Sequence, residues 1–181
     1  PGTYNILNAL AAISVCKTMG LSIENISQSL KMFSGVKRRF DVKVHNKNLT
    51  IIDDYAHHPV EVLSVINAVK SNWNRRLLVV FQPHLFSRTK AFYKDFAESL
   101  FDADLIFITE IFASREKLDS SISSEKISEH LKELKHKNVF DITTDSLLQD
   151  IQSKYNEGDI ILTIGAGNIW RYADKLTENM Q

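Results

Sequence analysis

Apolar residues follow two rhythms along this chain. Over the first 35 residues the spacing is helical: Ile6, Leu10 and Ile13 share a face behind Thr3 as the expected N-cap, and Gly20 ends the run. Ser22 caps a second helix carrying Ile23, Ile26, Leu30 and Phe33 on one side, with Gly35 as its terminator. A short basic hinge, Gly35-Val36-Lys37-Arg38-Arg39-Phe40, follows. Beyond it the apolar residues gather into short continuous runs at Phe40–Val44, Leu49–Asp53, Leu77–Phe81, Leu105–Thr109, Val139–Ile142 and Ile160–Ile164. Such runs mark strands covered on both faces.

Helical patterns separate these runs. Pro59 stands at a first-turn position ahead of Val62, Ile66 and Val69, and Ser87 is the expected cap for Phe92, Phe96 and Leu100. Ser124 precedes Ile127, Leu131 and Leu134, Asp145 precedes Leu148 and Ile151, and Arg171 to Leu176 suggests a last helix. His45-Asn46-Lys47-Asn48 reads as a hairpin turn between the first two strands, which makes one edge antiparallel. Strand–helix alternation requires the remaining strands to be mostly parallel. The expected fold class is therefore α/β: a Rossmann-like, mostly parallel six-stranded sheet with an antiparallel edge and helices on both faces. Residues 1–35 are expected to be the last helices of an adjoining domain, and 36–181 a domain of their own. The start at Pro1, without Met and directly before a helical pattern, reads as a cut from a longer protein.

Composition narrows the function. The 22 basic residues balance 22 acidic ones, so neither nucleic acid nor an anionic membrane is an expected partner. Any anion site must be a local arrangement of Arg and His. Cys16 is the single cysteine, which excludes a disulfide framework and favours a reducing compartment. The longest apolar run, Ile6–Val15, is interrupted by Asn8 and Ser14 and is too short to span a bilayer. No signal peptide is visible.

In an open parallel sheet, ligands bind beyond the carboxyl ends of the strands. Asp53-Asp54-Tyr55-Ala56-His57-His58-Pro59 follows the second strand and Phe81-Gln82-Pro83-His84-Leu85-Phe86-Ser87-Arg88 the third. Glu110, Arg115 and Glu116 follow the fourth, and Gly165-Ala166-Gly167-Asn168 the sixth. Imidazoles, carboxylates and a guanidinium thus gather on one rim. Each also has an ordinary explanation: Asp53 and Asp54 as turn formers, His57 and His58 as a cap and its neighbour, Asn5 and Asn8 as exposed polar residues. Lys37-Arg38-Arg39 is equally a solvated linker, and Gly165-Ala166-Gly167 a plain turn lacking the third glycine of a dinucleotide fingerprint. Arg88 fits less comfortably, because a cation in a first helical turn opposes the dipole and calls for an anionic partner.

At Asp53–Pro59 and Phe81–His84 the chain resembles the C-terminal part of the Mur ligases. The resemblance extends to Tyr4-Asn5-Ile6-Leu7-Asn8-Ala9-Leu10-Ala11-Ala12, to Phe33–Phe40 and to Gly165-Ala166-Gly167, in family order along essentially the whole chain. It implies an ATP-dependent, peptidoglycan-building ligase of the bacterial cytoplasm that joins L-alanine to UDP-N-acetylmuramate through an acyl phosphate. It also implies two further domains, one holding the UDP-sugar and one holding ATP and Mg2+ on a P-loop. No Gly-x-x-x-x-Gly-Lys-Ser/Thr loop occurs in this sequence, so this chain alone is expected to be inactive.

Carried over by resemblance, Asn5 and Asn8 would bind the adenine edge, Asp54 with Tyr55 the ribose, and Arg39 the nucleotide phosphates. His57, His84 and Arg88 would face the amino acid and acyl phosphate, and no residue is expected to bind metal. Leu85 stands where the family often has Arg, and Asn168 where Asp is frequent. Two other functions compete: a ligase that recycles murein tripeptide onto UDP-N-acetylmuramate, and a metal-dependent phosphoesterase built on Asp53, Asp54, His57, His58 and His84.

Overall fold

The computed structural model describes residues 2–180 apart from the side chain of Thr3. The described chain forms α1 (Thr3–Thr18), α2 (Ile23–Met32), β1 (Asp41–His45), β2 (Leu49–Asp54), α3 (Pro59–Asn72), β3 (Leu77–Phe81) and α4 (Phe86–Leu100). It continues with β4 (Leu105–Ile108), α5 (Glu125–Glu133), β5 (Val139–Asp141), α6 (Leu147–Lys154), β6 (Asp159–Ile164) and α7 (Trp170–Met180). The six strands make one sheet in the order β1-β2-β6-β3-β4-β5. Only β1 runs antiparallel to its neighbour. At the hairpin, the Asn46 side-chain oxygen accepts from the N–H groups of Asn48 and Leu49, both at 2.9 Å. That local turn chemistry is what joins β1 to β2 so tightly.

Alternation along each strand builds two cores. On β3, Leu77, Val79 and Phe81 face a cluster formed with Val62, Ile66 and Val69 of α3, Phe96 and Leu100 of α4, and Ile127 and Leu131 of α5. Leu78 and Val80 face the other way, toward Leu147 and Ile151 of α6 and Leu176 of α7. A one-residue slip would exchange the faces, so burial on both sides sets the register. Helices therefore cover both faces, as the strand pattern implies.

Several expected details differ. Gly2, not Thr3, holds the N-cap position of α1. Ser87 lies inside α4, whose cap position is Leu85, and α6 starts behind Ser146 rather than Asp145. Ile6 and Leu10 remain exposed, as do Ile23 and Phe33; of the two N-terminal apolar faces only Ile26 is buried. Gly20 ends α1 as expected: at φ 86° it lets its own N–H reach Lys17 O while Leu21 N–H reaches Cys16 O.

Candidate functional site

Four turns meet at the carboxyl edge of the sheet because their parent strands are neighbours. Gly165 N–H donates to Asp54 O at 3.1 Å, Gln82 N–H to Ile164 O at 2.9 Å and Thr109 N–H to Phe81 O at 3.1 Å. Beside them opens a cleft of about 270 Å³, lined by Tyr4, Asn5 and Asn8 of α1, Arg39 of the hinge, Asp54, Tyr55 and His57 of the β2–α3 turn, and the start of α3. Six of the eight candidate residues from the sequence thus share one cleft. The other two adjoin it: the His84 ring lies 6.2 Å from that of His57, and Arg88 Nη1 lies 3.3 Å from His84 Nδ1.

The Nδ1 atoms of the two imidazoles meet opposite kinds of partner. Arginine only donates, so Nδ1 of His84 must accept from Arg88, which leaves the proton on Nε2. Burial, then the positive charge of Arg88, hold the His84 pKa below the ordinary imidazole value and keep the ring neutral. Its ring stacks on Phe112 at 5.9 Å and 15°. Nδ1 of His57, in contrast, is 3.0 Å from the carbonyl of Tyr55 and 3.4 Å from Glu61 Oε2, both acceptors, so this nitrogen carries a hydrogen. Glu61 steadies the same turn by accepting from the N–H groups of His57 at 2.9 Å and His58 at 3.1 Å.

The carboxylate pair divides its work. Asp54 is 6% exposed, and its two oxygens accept from Phe40 N–H at 2.7 Å and Ala56 N–H at 2.8 Å. Asp53 is fully buried, accepts from the Thr163 hydroxyl at 2.6 Å and lies 3.4 Å from Arg38 Nε. Burial pushes both carboxyls above their ordinary pKa, outweighing the hydrogen bonds that oppose it. Arg38 also donates to Gly165 O at 2.5 Å and lies over the Tyr55 ring at 4.8 Å. Of the adjacent basic residues, Arg38 is therefore consumed by the fold and Arg39 is exposed at the cleft.

Some expectations do not meet the site. His58 packs edge-on against Phe92 at 5.1 Å and does not line the cleft. Among the described residues no group of three or more His, Cys, Asp or Glu is arranged for a metal ion. With Asp53 and Asp54 turned to Thr163 and backbone N–H groups, the phosphoesterase reading is not favoured. Asn168 accepts from Gln82 Nε2 at 2.8 Å, and Gln82 Oε1 accepts from Ile169 N–H at 3.1 Å, so this position fastens the start of α7.

Other residues of the site escaped the sequence reading. Tyr4 lines the cleft, its hydroxyl pKa pushed up to about 12 by burial and then by the charge of Asp54. Glu61 could have been found from its place three residues after His58, the spacing of a capping box. Nothing in the local sequence marks Phe112 as the platform beneath His84.

Comparison with known proteins gives the same direction. The family described as "Mur ligase, glutamate ligase domain" matches residues 38–167. The UDP-N-acetylmuramate–L-alanine ligase of Clostridium kluyveri is 42% identical over 176 residues, covering 96% of this chain and 38% of that protein. The ligase of the same name from Caldanaerobacter subterraneus subsp. tengcongensis is 44% identical over 179 residues, covering 98% and 39%. A solved UDP-N-acetylmuramate–alanine ligase from Thermotoga maritima superposes with a TM-score of 0.84 at 31% identity, covering 100% of this chain and 38% of that one. The chain spans about two fifths of the length of the curated relatives it matches. Matched over most of its length, with the motif-bearing turns gathered on one edge of the sheet, the chain belongs to the Mur ligase family.

Proposed function

We propose that this chain is the C-terminal part of an ATP-dependent ligase that adds L-alanine to UDP-N-acetylmuramate in building peptidoglycan. The observation that carries the reading is the meeting of His57, His84 and Arg88 beside a cleft lined by Asn5, Asn8, Arg39, Asp54 and Tyr55. The names of relatives at 42% and 44% identity supply the substrates. Residues 1–35 would belong to a central ATP-binding domain and 36–181 to the amino-acid-binding domain. The exposed apolar side chains of α1 and α2 support that division, since the adjoining domain would cover them. No described helix is long and apolar enough to cross a membrane. A cytoplasmic, bacterial setting follows from the proposed activity.

ATP would enter the cleft with its adenine edge toward Asn5 and Asn8. Its ribose would lie near Tyr55 and the remaining lone pairs of Asp54, and its phosphates toward Arg39. Among the described residues no group of three or more His, Cys, Asp or Glu is arranged for a metal ion, so magnesium is assigned to the rest of the protein and no step is routed through it. When ATP is bound, it would supply its γ-phosphoryl group to the sugar-lactate carboxylate, leaving ADP and an acyl phosphate. The amine of L-alanine then attacks, and a tetrahedral intermediate expels phosphate. Each step moves negative charge, for which fixed cations and donors matter more than a covalent nucleophile. Arg88 suits the alanine carboxylate as a planar two-pronged donor. The Nε2–H of neutral His84 donates toward the developing oxyanion. His57, with Nδ1 occupied by the Tyr55 carbonyl, would use Nε2 to take a proton from the incoming ammonium group when its ring is neutral.

The test is phosphate release and product formation by the full-length protein supplied with UDP-N-acetylmuramate, ATP and either L-alanine or murein tripeptide. Turnover with alanine is expected, and none by the 181-residue chain alone. Turnover by that chain alone, or preference for the tripeptide, would overturn the proposal.

A further inference from the structure

We infer that Glu116 is a positioning residue, tying the first turn of α4 to the loop after β4 and so setting how His84 and Arg88 face the cleft. Its kinetic consequence rests on the ligase reading above; its structural consequence does not.

α4 begins without a cap of its own. Leu85 holds the cap position at φ 73°, and its apolar side chain offers nothing to the first-turn N–H groups. Glu116, 29 residues beyond Ser87, supplies the missing acceptor. One oxygen accepts from Ser87 N–H at 3.1 Å and the other from the Ser87 hydroxyl. Those bonds hold the Glu116 carboxyl below its ordinary pKa, so it is charged at neutral pH. Arg88, the next residue, is a cation at the positive end of a helix dipole, an unfavourable place that a carboxylate in the same turn offsets.

The two loops are also joined further back. Leu85 N–H donates to Phe112 O at 3.0 Å, Phe112 N–H to Pro83 O at 2.8 Å, and the His84 ring lies on Phe112. Beyond Gln82, the 82–88 turn is thus fastened to the loop after β4 at two points, the backbone bridge at His84 and the carboxylate at Ser87. With only the first, the α4 end of the turn can pivot, and Arg88 with it. Glu116 does not line the cleft, so it acts through its neighbours.

Two measurements decide the inference. In the 181-residue chain with 15N-labelled histidine, the His84 ring resonances should report the Nε2–H tautomer. Glu116→Ala should shift them toward a mixture of tautomers while His57 stays unmoved. Glu116→Gln, which keeps an acceptor for the Ser87 N–H, should return them close to wild type. If Glu116→Ala fails to fold, Ser87→Ala removes only the hydroxyl contact and should give the same change at smaller amplitude. Unmoved His84 resonances in the variant that folds overturn the inference. In the full-length protein, Glu116→Ala should raise KM for the amino acid about tenfold and KM for ATP less than about twofold, the signature of lost binding on one substrate only. Equal rises, or no rise, overturn it as well. If the wild-type protein has no ligase turnover, the functional reading fails while the histidine resonances still decide the role of Glu116.

Discussion

Removing the Asp54 carboxylate should loosen the hinge more than its place on the surface of the cleft suggests. Asp54→Ala leaves two backbone donors, Phe40 N–H and Ala56 N–H, without the acceptors they now meet at 2.7 and 2.8 Å. Hydrogen bonds to a charged group contribute about 1.5–3 kcal/mol each, so two amount to about 3–6 kcal/mol. Two effects oppose the loss. The buried carboxylate no longer has to be desolvated, and Phe40, held at φ 50°, can leave a left-handed conformation that costs about 1–2 kcal/mol. The expected net destabilisation is about 2–4 kcal/mol. With a urea m-value of about 2 kcal/mol/M, the midpoint should fall by about 1–2 M. Trp73 reports the event directly, because its ring is stacked on Phe40 at 6.1 Å and 9°. Urea unfolding followed by fluorescence in a Trp170→Phe background isolates that signal. Asp54→Asn keeps one acceptor and should lose about half as much. A loss under about 0.5 kcal/mol for Asp54→Ala, or an equal loss for both variants, would refute the claim that these two bonds hold the hinge and the β2–α3 turn together.

In the full-length protein, Arg88→Ala should raise KM for the amino acid on the order of 30-fold, since losing the proposed charge-assisted bonds to the substrate carboxylate would cost about 2 kcal/mol. Equal effects on amino acid and ATP would count against the placement of Arg88. Gly167→Ala should lower the melting temperature, because a Cβ there runs into Gln82 Oε1 and comes within 2.6 Å of Phe112 Cγ. Overpacking of this kind costs about 1–3 kcal/mol, and an unchanged thermal transition would show that the turn yields freely. Burial raises the folded-state pKa of Asp53 and Asp54, so the folded form keeps protons that the unfolded form has already released. Their contribution is therefore greatest below the unfolded carboxyl value and is lost as pH rises through the raised folded value. Asp53→Asn preserves an acceptor for Thr163 and removes one titration; stability measured from about pH 4 to pH 7 should decline less than in wild type. A steeper decline in the variant would contradict the sign of the shift.

The amino-acid sequence by itself determined which segments become strands and helices, because both rhythms are local. Continuous apolar runs need cover on two faces, and Asn46 and Pro59 set their turns within a few residues. It also determined that the charged and imidazole residues lie at strand ends, since each motif directly follows an apolar run. Where those ends meet is a matter of strand order. β6, last in the chain, inserts between β2 and β3, and similarly apolar runs carry no mark of that choice. The fate of individual polar groups was equally a tertiary decision. Arg38 and Arg39 are neighbours of the same type, yet a φ of 62° at Arg38 accompanies the turn of its guanidinium toward Asp53 and Gly165, while Arg39 stays at the cleft. Asp54 met backbone donors, His58 met Phe92 and His84 met Phe112 through contacts between different elements. A hydrogen bond or ring contact needs its partner within a few ångströms, and for these groups the fold alone brings that partner near.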